Sequence, residues 1–284
     1  MIARHRGAYS LTLMCRVLAV SRAGFHAWTT RGRSARAHED VALMARIVAT
    51  HHRARSEYGA RLHQRELAAA GARHSRRRIQ RLMHAAGCVA VQAKRWRGAR
   101  DAAAPTTRAA NVVNRHFTVA APNRVWAADL TYCWTQEGWL FVAVVLDLCS
   151  RRVVGWATST APDQHVALAA WRRAVAVRQP APGLVHHSDR GSTYVSAAYQ
   201  AALAAAQAVP SLSRAGNCWD NAVVESFFAT LKKGLVHRQA WATRSSLTRA
   251  LVDYIDGWYN PERRHSHLGY VSPIAFEAQL PTAA

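Results

Sequence analysis

An apolar run near the middle of the chain constrains the fold more than any other feature. Residues 139–149 read Trp-Leu-Phe-Val-Ala-Val-Val-Leu-Asp-Leu-Cys, with a single charged side chain. A strand that is apolar on both faces has to be covered on both sides, as the central strand of a sheet between helices is. Segments 125–134 and 152–158 also have strand composition, and turn residues separate them from the run. The three segments therefore predict a meander.

Further along, helical and strand patterns alternate. We predict a helix at about 163–178, a strand at 184–187, an Ala-rich helix at 196–207, a strand at 209–212 and a helix at about 219–235. Strands interleaved with helices in this way are typical of an α/β fold with a mixed five-stranded sheet flanked by helices. Residues 118–284 would form this domain and its carboxyl-terminal tail.

The first third of the chain, residues 1–92, reads as all-helical instead. Its last helix follows Ser75 and places Ile79 and Leu82 inward, so that an arginine face is expected outside. Two short helices joined by a tight turn, at about 39–88, match a helix-turn-helix layout that binds DNA. An ordinary helical hairpin with a solvated basic face would give the same pattern. The candidate DNA-contacting side chains are Arg76, Arg77, Arg78 and Arg81.

Residues 93–117 separate the two parts. They are rich in Arg and Ala, contain Pro105 and lack apolar periodicity, so we interpret them as a linker.

Charge is distributed unevenly over the chain. The formal net charge is +22, and residues 1–110 hold 22 Lys and Arg against 5 Asp and Glu, a surplus of 17. Such a surplus repels itself unless a polyanion neutralises it, which favours nucleic-acid binding. A compositional preference for Arg is the alternative, since only 3 of the 38 basic residues are Lys.

Composition also argues against several classes of protein. No apolar run is long enough to span a membrane, and Arg16 and Arg22 interrupt any signal-peptide core. The five cysteines are widely spaced and odd in number, as expected for reduced thiols in a cytoplasmic, nucleoid-associated protein. There is no Cys-x-x-Cys pair for structural zinc and no Gly-x-Ser-x-Gly elbow for a serine hydrolase.

Three carboxylates occupy unusual places in the second half. Asp129 lies within a predicted apolar strand, Asp189 follows a short strand, and Glu225 lies in a late helix. Strands are depleted in Asp, and the carboxyl ends of strands are where α/β ligand sites form. Taken singly, each acid has an ordinary explanation: a buried ion pair, a turn residue and a surface glutamate.

If the three acids converge, their mutual repulsion requires protons or divalent cations. Two unit charges about 4 Å apart repel by roughly 4 kcal/mol at an effective dielectric near 20. A few hard oxygen ligands suit Mg²⁺, or Mn²⁺ as its substitute. Two such ions assist an in-line displacement at phosphorus, which would make the chain a DNA-cutting and DNA-joining enzyme.

Several long sequence motifs are more specific than these patterns. Fifty-nine residues separate Asp129 from Asp189 and 35 separate Asp189 from Glu225. This spacing resembles the D,D-35-E pattern of transposases and retroviral integrases. The chain as a whole resembles the downstream-frame protein of the IS-three family of bacterial insertion sequences. The phrases that carry the resemblance are Pro122-Asn123-Arg124-Val125-Trp126-Ala127-Ala128-Asp129-Leu130-Thr131-Tyr132, His187-Ser188-Asp189-Arg190-Gly191-Ser192, Gly216-Asn217-Cys218-Trp219-Asp220-Asn221-Ala222 and Tyr259-Asn260-Pro261-Glu262-Arg263-Arg264-His265-Ser266.

The resemblance implies an RNase H-like integrase core that transposes a DNA element, with Asp129, Asp189 and Glu225 binding Mg²⁺. It also implies double-stranded DNA partners, namely element ends and target, and a homo-oligomer on DNA. Lys232, two helical turns after Glu225 and on its face, would contact phosphate. Asn221, one turn before, would hydrogen-bond DNA or a metal-bound water. His187 is equally compatible with a catalytic role and with an ordinary hydrogen-bonded strand end.

Two positions depart from the family pattern. Ala128 replaces a common hydroxyl residue, and Gly234 replaces a common acid after Lys232 and Lys233. Gly234 is expected to loosen its helix end by up to about 1 kcal/mol. In this family an upstream frame supplies further segments, so the upstream-frame protein is a possible partner and the activity of the isolated chain is open.

Two other functions remain open at this point. The chain could be a DNA-binding regulator or an inactive remnant of a mobile element. It could also be a nuclease on the same fold that cleaves DNA without joining it.

Overall fold

Serine side chains begin most helices of the amino-terminal part. The hydroxyls of Ser10, Ser21, Ser34 and Ser75 each accept a hydrogen bond from the backbone N–H three residues later, which satisfies a donor that the first turn leaves unpaired. The predicted helical region is therefore confirmed. Its helices are α1 (Leu11–Val17), α2 (Arg22–Thr30), α3 (Ala35–Arg53), α4 (Ala60–Ala69) and α5 (Arg76–Ala85).

The computed structural model describes residues 1–32, 34–91, 119–213 and 221–280. The predicted linker, residues 93–117, and the predicted start of the last core helix at 219 lie outside them. No helix in the described ranges is both long and apolar enough to cross a membrane.

The second part folds as the predicted mixed sheet. The strand order is β3-β2-β1-β4-β5, with antiparallel β3-β2-β1 and parallel β1-β4-β5 pairing. This is the sheet arrangement that the resemblance to an RNase H-like integrase core implies. The strands are β1 (Val125–Thr135), β2 (Gly138–Asp147), β3 (Val153–Ser159), β4 (Val185–Ser188) and β5 (Val209–Leu212).

Helices cover both faces of the sheet, as the apolar run requires. Side chains of β2 alternate between two cores: Val142 and Val144 pack with α9 (Ala222–Gly234) and α10 (Arg244–Tyr254). Ala143 and Val145 pack with α6 (Gln164–Arg178) and α8 (Ala197–Ala205) on the other face. Two further short α-helices are α7 (Ser192–Val195) and α11 (Pro273–Glu277), and 3-10 or π segments lie at Ile2–His5, Val236–Arg238, Ile255–Tyr259 and Ser266–Leu268.

The single acid of the apolar run is a structural group. Asp147 is fully buried, and burial raises the pKa of its carboxyl. Its oxygens accept hydrogen bonds from the backbone N–H groups of Asn123, Cys149 and Ser150 and from the indole of Trp126. Four donors on one carboxylate fix the turn after β2 against the chain that enters β1.

The helical part also packs against the carboxyl-terminal tail. Glu57, in the turn between α3 and α4, accepts a hydrogen bond from the Tyr254 hydroxyl at 2.7 Å and pairs with Arg263 at 3.1 Å. Nearby, Glu66 pairs with Arg264. Burial raises the pKa of Glu57 despite the Arg263 charge. Removing one partner of a buried ion pair such as Glu57–Arg263 leaves an unpaired buried charge, which strongly lowers the stability of the protein.

Gly234 ends α9 where Glu57 approaches it. A Cβ placed on Gly234 would collide with the Glu57 carboxylate and lie 2.8 Å from its Cδ and 2.9 Å from the Tyr254 hydroxyl. The absence of a side chain, which we expected only to loosen the helix end, thus makes room for a contact between the two parts. The close approach could not be predicted, because it joins segments far apart in sequence.

Substituting Gly234 with Ala should therefore lower the melting temperature of the protein. The added methyl must displace Glu57 from Tyr254 and Arg263, and overpacking of this kind typically destabilises by about 1–3 kcal/mol. Gly257→Ala is the matched control, since a Cβ at Gly257 meets no atom within 4 Å. Thermal unfolding of the two variants checks this, and equal melting temperatures would contradict the close packing.

Candidate active site

The register of β1 and β4 determines where the two aspartates lie. Trp126 pairs with His186 and Ala127 with His187 in parallel register. Asp129 follows the last of these pairs by two residues within β1, and Asp189 follows it by two residues just past the end of β4. Neighbouring strands lie about 4.8 Å apart, and residues two apart share a face. The chain therefore brings both aspartates to the same end of adjacent strands, and the charge of Asp189 acts on Asp129.

The third acid is brought to this side by α9. Asn221, the residue before the helix, is buried, and its side-chain amide donates to the carbonyl of Ala128 at 3.3 Å. This bond holds the amino end of α9 against β1. Glu225 lies one turn further along the helix, and its charge acts on Asp129.

The electrostatics of Asp129 reflect this crowding. The pKa of Asp129 is raised from 3.8 to about 7, mainly by burial and in part by the charges of Asp189 and Glu225, while an N–H bond from Leu130 and the charge of Lys232 oppose the rise. The Leu130 N–H donates to Asp129 Oδ1 at 2.8 Å. The pKa of Glu225 is also raised by burial. The site thus concentrates negative charge in a poorly solvated place.

This donor set fits a hard divalent cation by its chemistry. All three groups offer carboxylate oxygens, and a cation would relieve the desolvation and repulsion that burden Asp129. Among the residues the structure describes, however, no three His, Cys, Asp or Glu side chains are grouped closely enough to hold a metal as they stand. Asp189 Oδ1 instead accepts the backbone N–H of Gly191 at 2.9 Å.

Lys232 lies at the same site as predicted, with a contact that the sequence did not suggest. Its Nζ is 5.0 Å from the ring centroid of Tyr132, and its charge lowers the pKa of Asp129. An ammonium group is therefore held beside the acids by an aromatic face.

His187 has a structural environment rather than a catalytic one. The side chain is fully buried, and its two ring nitrogens hydrogen-bond the hydroxyls of Ser211 and Ser213 on and after β5. The bonds tie β4 to β5 and so support the strand that precedes Asp189.

The arginines of α5 do not all face outward as expected. Arg78 is bound to Asp40 at 2.7 Å and to Glu39 at 3.1 Å, and only 15% of its side chain is exposed. Arg81 also pairs with Asp40, at 2.5 Å. The prediction of an outward Arg78 was wrong because acids of α3 draw it inward. Arg76 and Arg77 are exposed.

Beside α9 the structure reveals a basic cleft of about 600 Å³ that sequence patterns did not locate. It lies between α4, the Ser226 and Thr230 side of α9, and the tail. Among the described residues that line it there is no acid, and the cationic ones are Arg61, Arg151, Arg263 and Arg264. The Arg263-Arg264 pair of the tail is visible in the sequence, but the residues of α4 and α9 that line the cleft with it could not be predicted.

Comparisons with known proteins agree with this architecture. Two models described as integrase core domain match residues 119–218 and 207–273, and a model described as HTH-like domain matches residues 38–96. The third match covers the predicted helix-turn-helix-like region.

Curated relatives match over nearly the full length. An uncharacterized 31 kDa protein of insertion element IS600 from Shigella sonnei is 37% identical over 93% of this chain and 97% of its own. The transposase InsF for insertion sequence IS3A from Escherichia coli K12 is 34% identical over 97% and 96%.

Among solved structures, a simian T-cell lymphotropic virus intasome chain gives a TM-score of 0.49 at 17% identity, over 79% of this chain and 77% of that one. The sequence relatives, by contrast, exceed 30% identity over almost all of both chains. The chain therefore belongs to the IS3 family of transposases, DDE-type enzymes with an integrase core and an HTH-like domain.

Proposed function

We propose that this transposase cleaves and joins DNA strands at a metal centre held by Asp129, Asp189 and Glu225. The observation that carries the proposal is the raised pKa of Asp129, about 7, to which both other carboxylates contribute. A buried carboxyl whose pKa is raised by two further carboxylates is typical of a functional site, and a bound cation would relieve that repulsion.

Divalent ions, Mg²⁺ or Mn²⁺ in its place, would activate the attacking hydroxyl and stabilise the leaving oxygen of the phosphodiester. The protein's own groups position these events. Asn221 keeps α9 against β1, so that Glu225 stays opposite the aspartates. Lys232, beside Asp129, contributes a positive charge to the scissile phosphate.

Double-stranded DNA, as element end and as target, is the proposed partner. The exposed Arg76 and Arg77 of α5 would contact its backbone, and the surplus of positive charge in the first 110 residues supports this. Joining two element ends requires two copies of the site, so a homo-oligomer on DNA is part of the proposal. We also propose that the transposase associates with an upstream-frame protein and that it is located in the cytoplasm, at the nucleoid.

The role of the carboxylates is tested by Asp189→Asn and Glu225→Gln in a strand-transfer assay on labelled element-end DNA. Each variant should lose joined product by more than about a hundredfold, since even disturbing a group that only orients a metal ligand lowers activity about 10- to 100-fold. EDTA should abolish joining by the unaltered protein. Asp253→Asn, an exposed acid on α10, is the matched control and should remain active.

The same assay separates the alternatives. DNA that is cleaved but never joined would identify a nuclease. DNA that is bound but unchanged in Mg²⁺ and in Mn²⁺ would favour a regulator, and would count against the proposed chemistry.

Asp129→Asn should stabilise the metal-free protein while it abolishes joining. The carboxyl pKa is raised from 3.8 to about 7, so the folded protein keeps a proton that the unfolded chain loses. Stability associated with the neutral carboxyl is therefore full below about pH 4 and is lost as pH rises to about 7. The neutral amide avoids that loss, by up to about 4 kcal/mol above pH 7.

Melting temperatures in EDTA across this pH range measure the effect. The difference between Asp129→Asn and the unaltered protein should grow from about pH 4 to about pH 7 and then level off. Asp253→Asn serves as the control. A difference that does not change with pH would contradict the raised pKa.

The arginines of α5 should separate into two classes. Arg77→Ala should weaken duplex binding and reduce the slope of log affinity against log salt by about 0.9, one phosphate contact. Arg78→Ala should instead lower the melting temperature, because it breaks the pairs with Asp40 and Glu39. Filter binding at several salt concentrations checks this, and equal DNA-binding losses in both variants would contradict the distinction.

A further inference from the structure

The hairpin that joins β1 to β2 exposes an unusual group of aromatic rings. Tyr132, Trp134 and Trp139 are 55%, 57% and 44% exposed. In the part of the chain that the structure describes, five Tyr, Trp or Phe side chains are strongly exposed, and three of them share this hairpin. We call these three side chains the aromatic hairpin patch. Contiguous exposed apolar surface of this kind marks a binding site.

The rings are arranged at right angles rather than as a flat surface. Trp139 stands between the other two, with ring centroids 5.1 Å from Tyr132 at 88° and 4.9 Å from Trp134 at 75°. The contacts hold the rings in place, and about half of each side chain remains exposed. Exposed aromatic side chains of this kind can stack single bases of an unpaired strand.

The patch borders the carboxylates through the open edge of β1. In the described residues, β4 pairs with β1 only from Val125 to Ala127, so β1 is an edge strand beyond that point. Asp129 and Tyr132 point to opposite faces of the strand. Lys232 links them, because its Nζ lies 5.0 Å from the Tyr132 ring while its charge acts on Asp129.

Charge around the patch favours a nucleic-acid occupant over a second protein surface. Lys232 lies at one side, and at the other the Arg244 guanidinium donates to the carbonyl of Trp139 at 3.0 Å. The acid at the hairpin tip, Glu137, is engaged by the backbone N–H of Arg244 at 2.8 Å. Aromatic faces flanked by cations suit stacked bases beside a phosphate backbone.

We propose that the aromatic hairpin patch stacks an unpaired base of the DNA end whose phosphodiester lies at the carboxylates. The inference rests on the proposed function and adds a feature of the substrate: a locally unpaired strand at the reacting end. Stacking of this kind tolerates any base, so it would help to hold the end open without reading its sequence.

The test compares two DNAs in EDTA, where no chemistry occurs: a short blunt duplex and the same duplex with a single-stranded 3′ extension. Fluorescence anisotropy measures binding of each. Trp134→Ala should weaken binding of the extended duplex on the order of tenfold, and should leave blunt-duplex binding unchanged. Trp134→Phe keeps a ring and should retain most of the preference.

Trp28→Ala is the matched control, since Trp28 is 69% exposed but lies in α2. It should affect both DNAs alike. The proposal is overturned if Trp134→Ala weakens both DNAs equally or neither. It is also overturned if sedimentation without DNA shows that Trp134→Ala only dissociates a dimer, which would make the patch a contact between copies of the chain.

Binding in EDTA does not depend on the carboxylate mechanism, so the two proposals fail separately. A protein that prefers the extended duplex but joins no DNA would retain the stacking site and reject strand transfer. A protein that joins DNA but does not prefer the extended duplex would retain strand transfer and reject the stacking site.

Discussion

The parallel pairing of β1 with β4 is the constraint on which the candidate site depends. It brings Asp129, within β1, and Asp189, just past the end of β4, to the same end of adjacent strands, where the charge of Asp189 raises the pKa of Asp129. The structure places Asn221, Glu225 and Lys232 around that pair through α9. The three acids are thus brought to one region by strand pairing and by the Asn221 hydrogen bond, not by any attraction of their own.

The helical part and the core share a buried interface as well as a chain. Tyr58 lies in the same apolar cluster as Phe227 and Leu231 of α9, and its hydroxyl accepts the backbone N–H of Arg264. The helix that carries Glu225 is therefore packed on one side against the sheet and on another against the region that matches the HTH-like domain. The region proposed to bind DNA is therefore in direct contact with the helix that carries Glu225.

Features that depend on neighbouring residues in the sequence were predicted correctly. The apolar run of β2, the capping serines and the alternation of strands with helices gave the sheet and most helix positions, and an Asp inside an apolar strand indicated the site. Contacts between distant segments escaped prediction. Three contacts depend on a partner that is distant in sequence. Arg78 pairs with Asp40, His187 hydrogen-bonds two serine hydroxyls, and Lys232 lies over the Tyr132 ring. Residues 92–118 and 214–220 stay outside the comparison.

The close approach of Glu57 to Gly234 has a consequence for how such chains can diverge. A position in the helical part and a position in the core occupy one space, so neither is free to change alone. A homologue with an acidic side chain at the position of Gly234 would need a smaller or repositioned group at that of Glu57. A chimera with the helical domain of one relative and the core of another would then combine side chains that do not fit together. The residues at positions 57 and 234 should therefore vary together across the family.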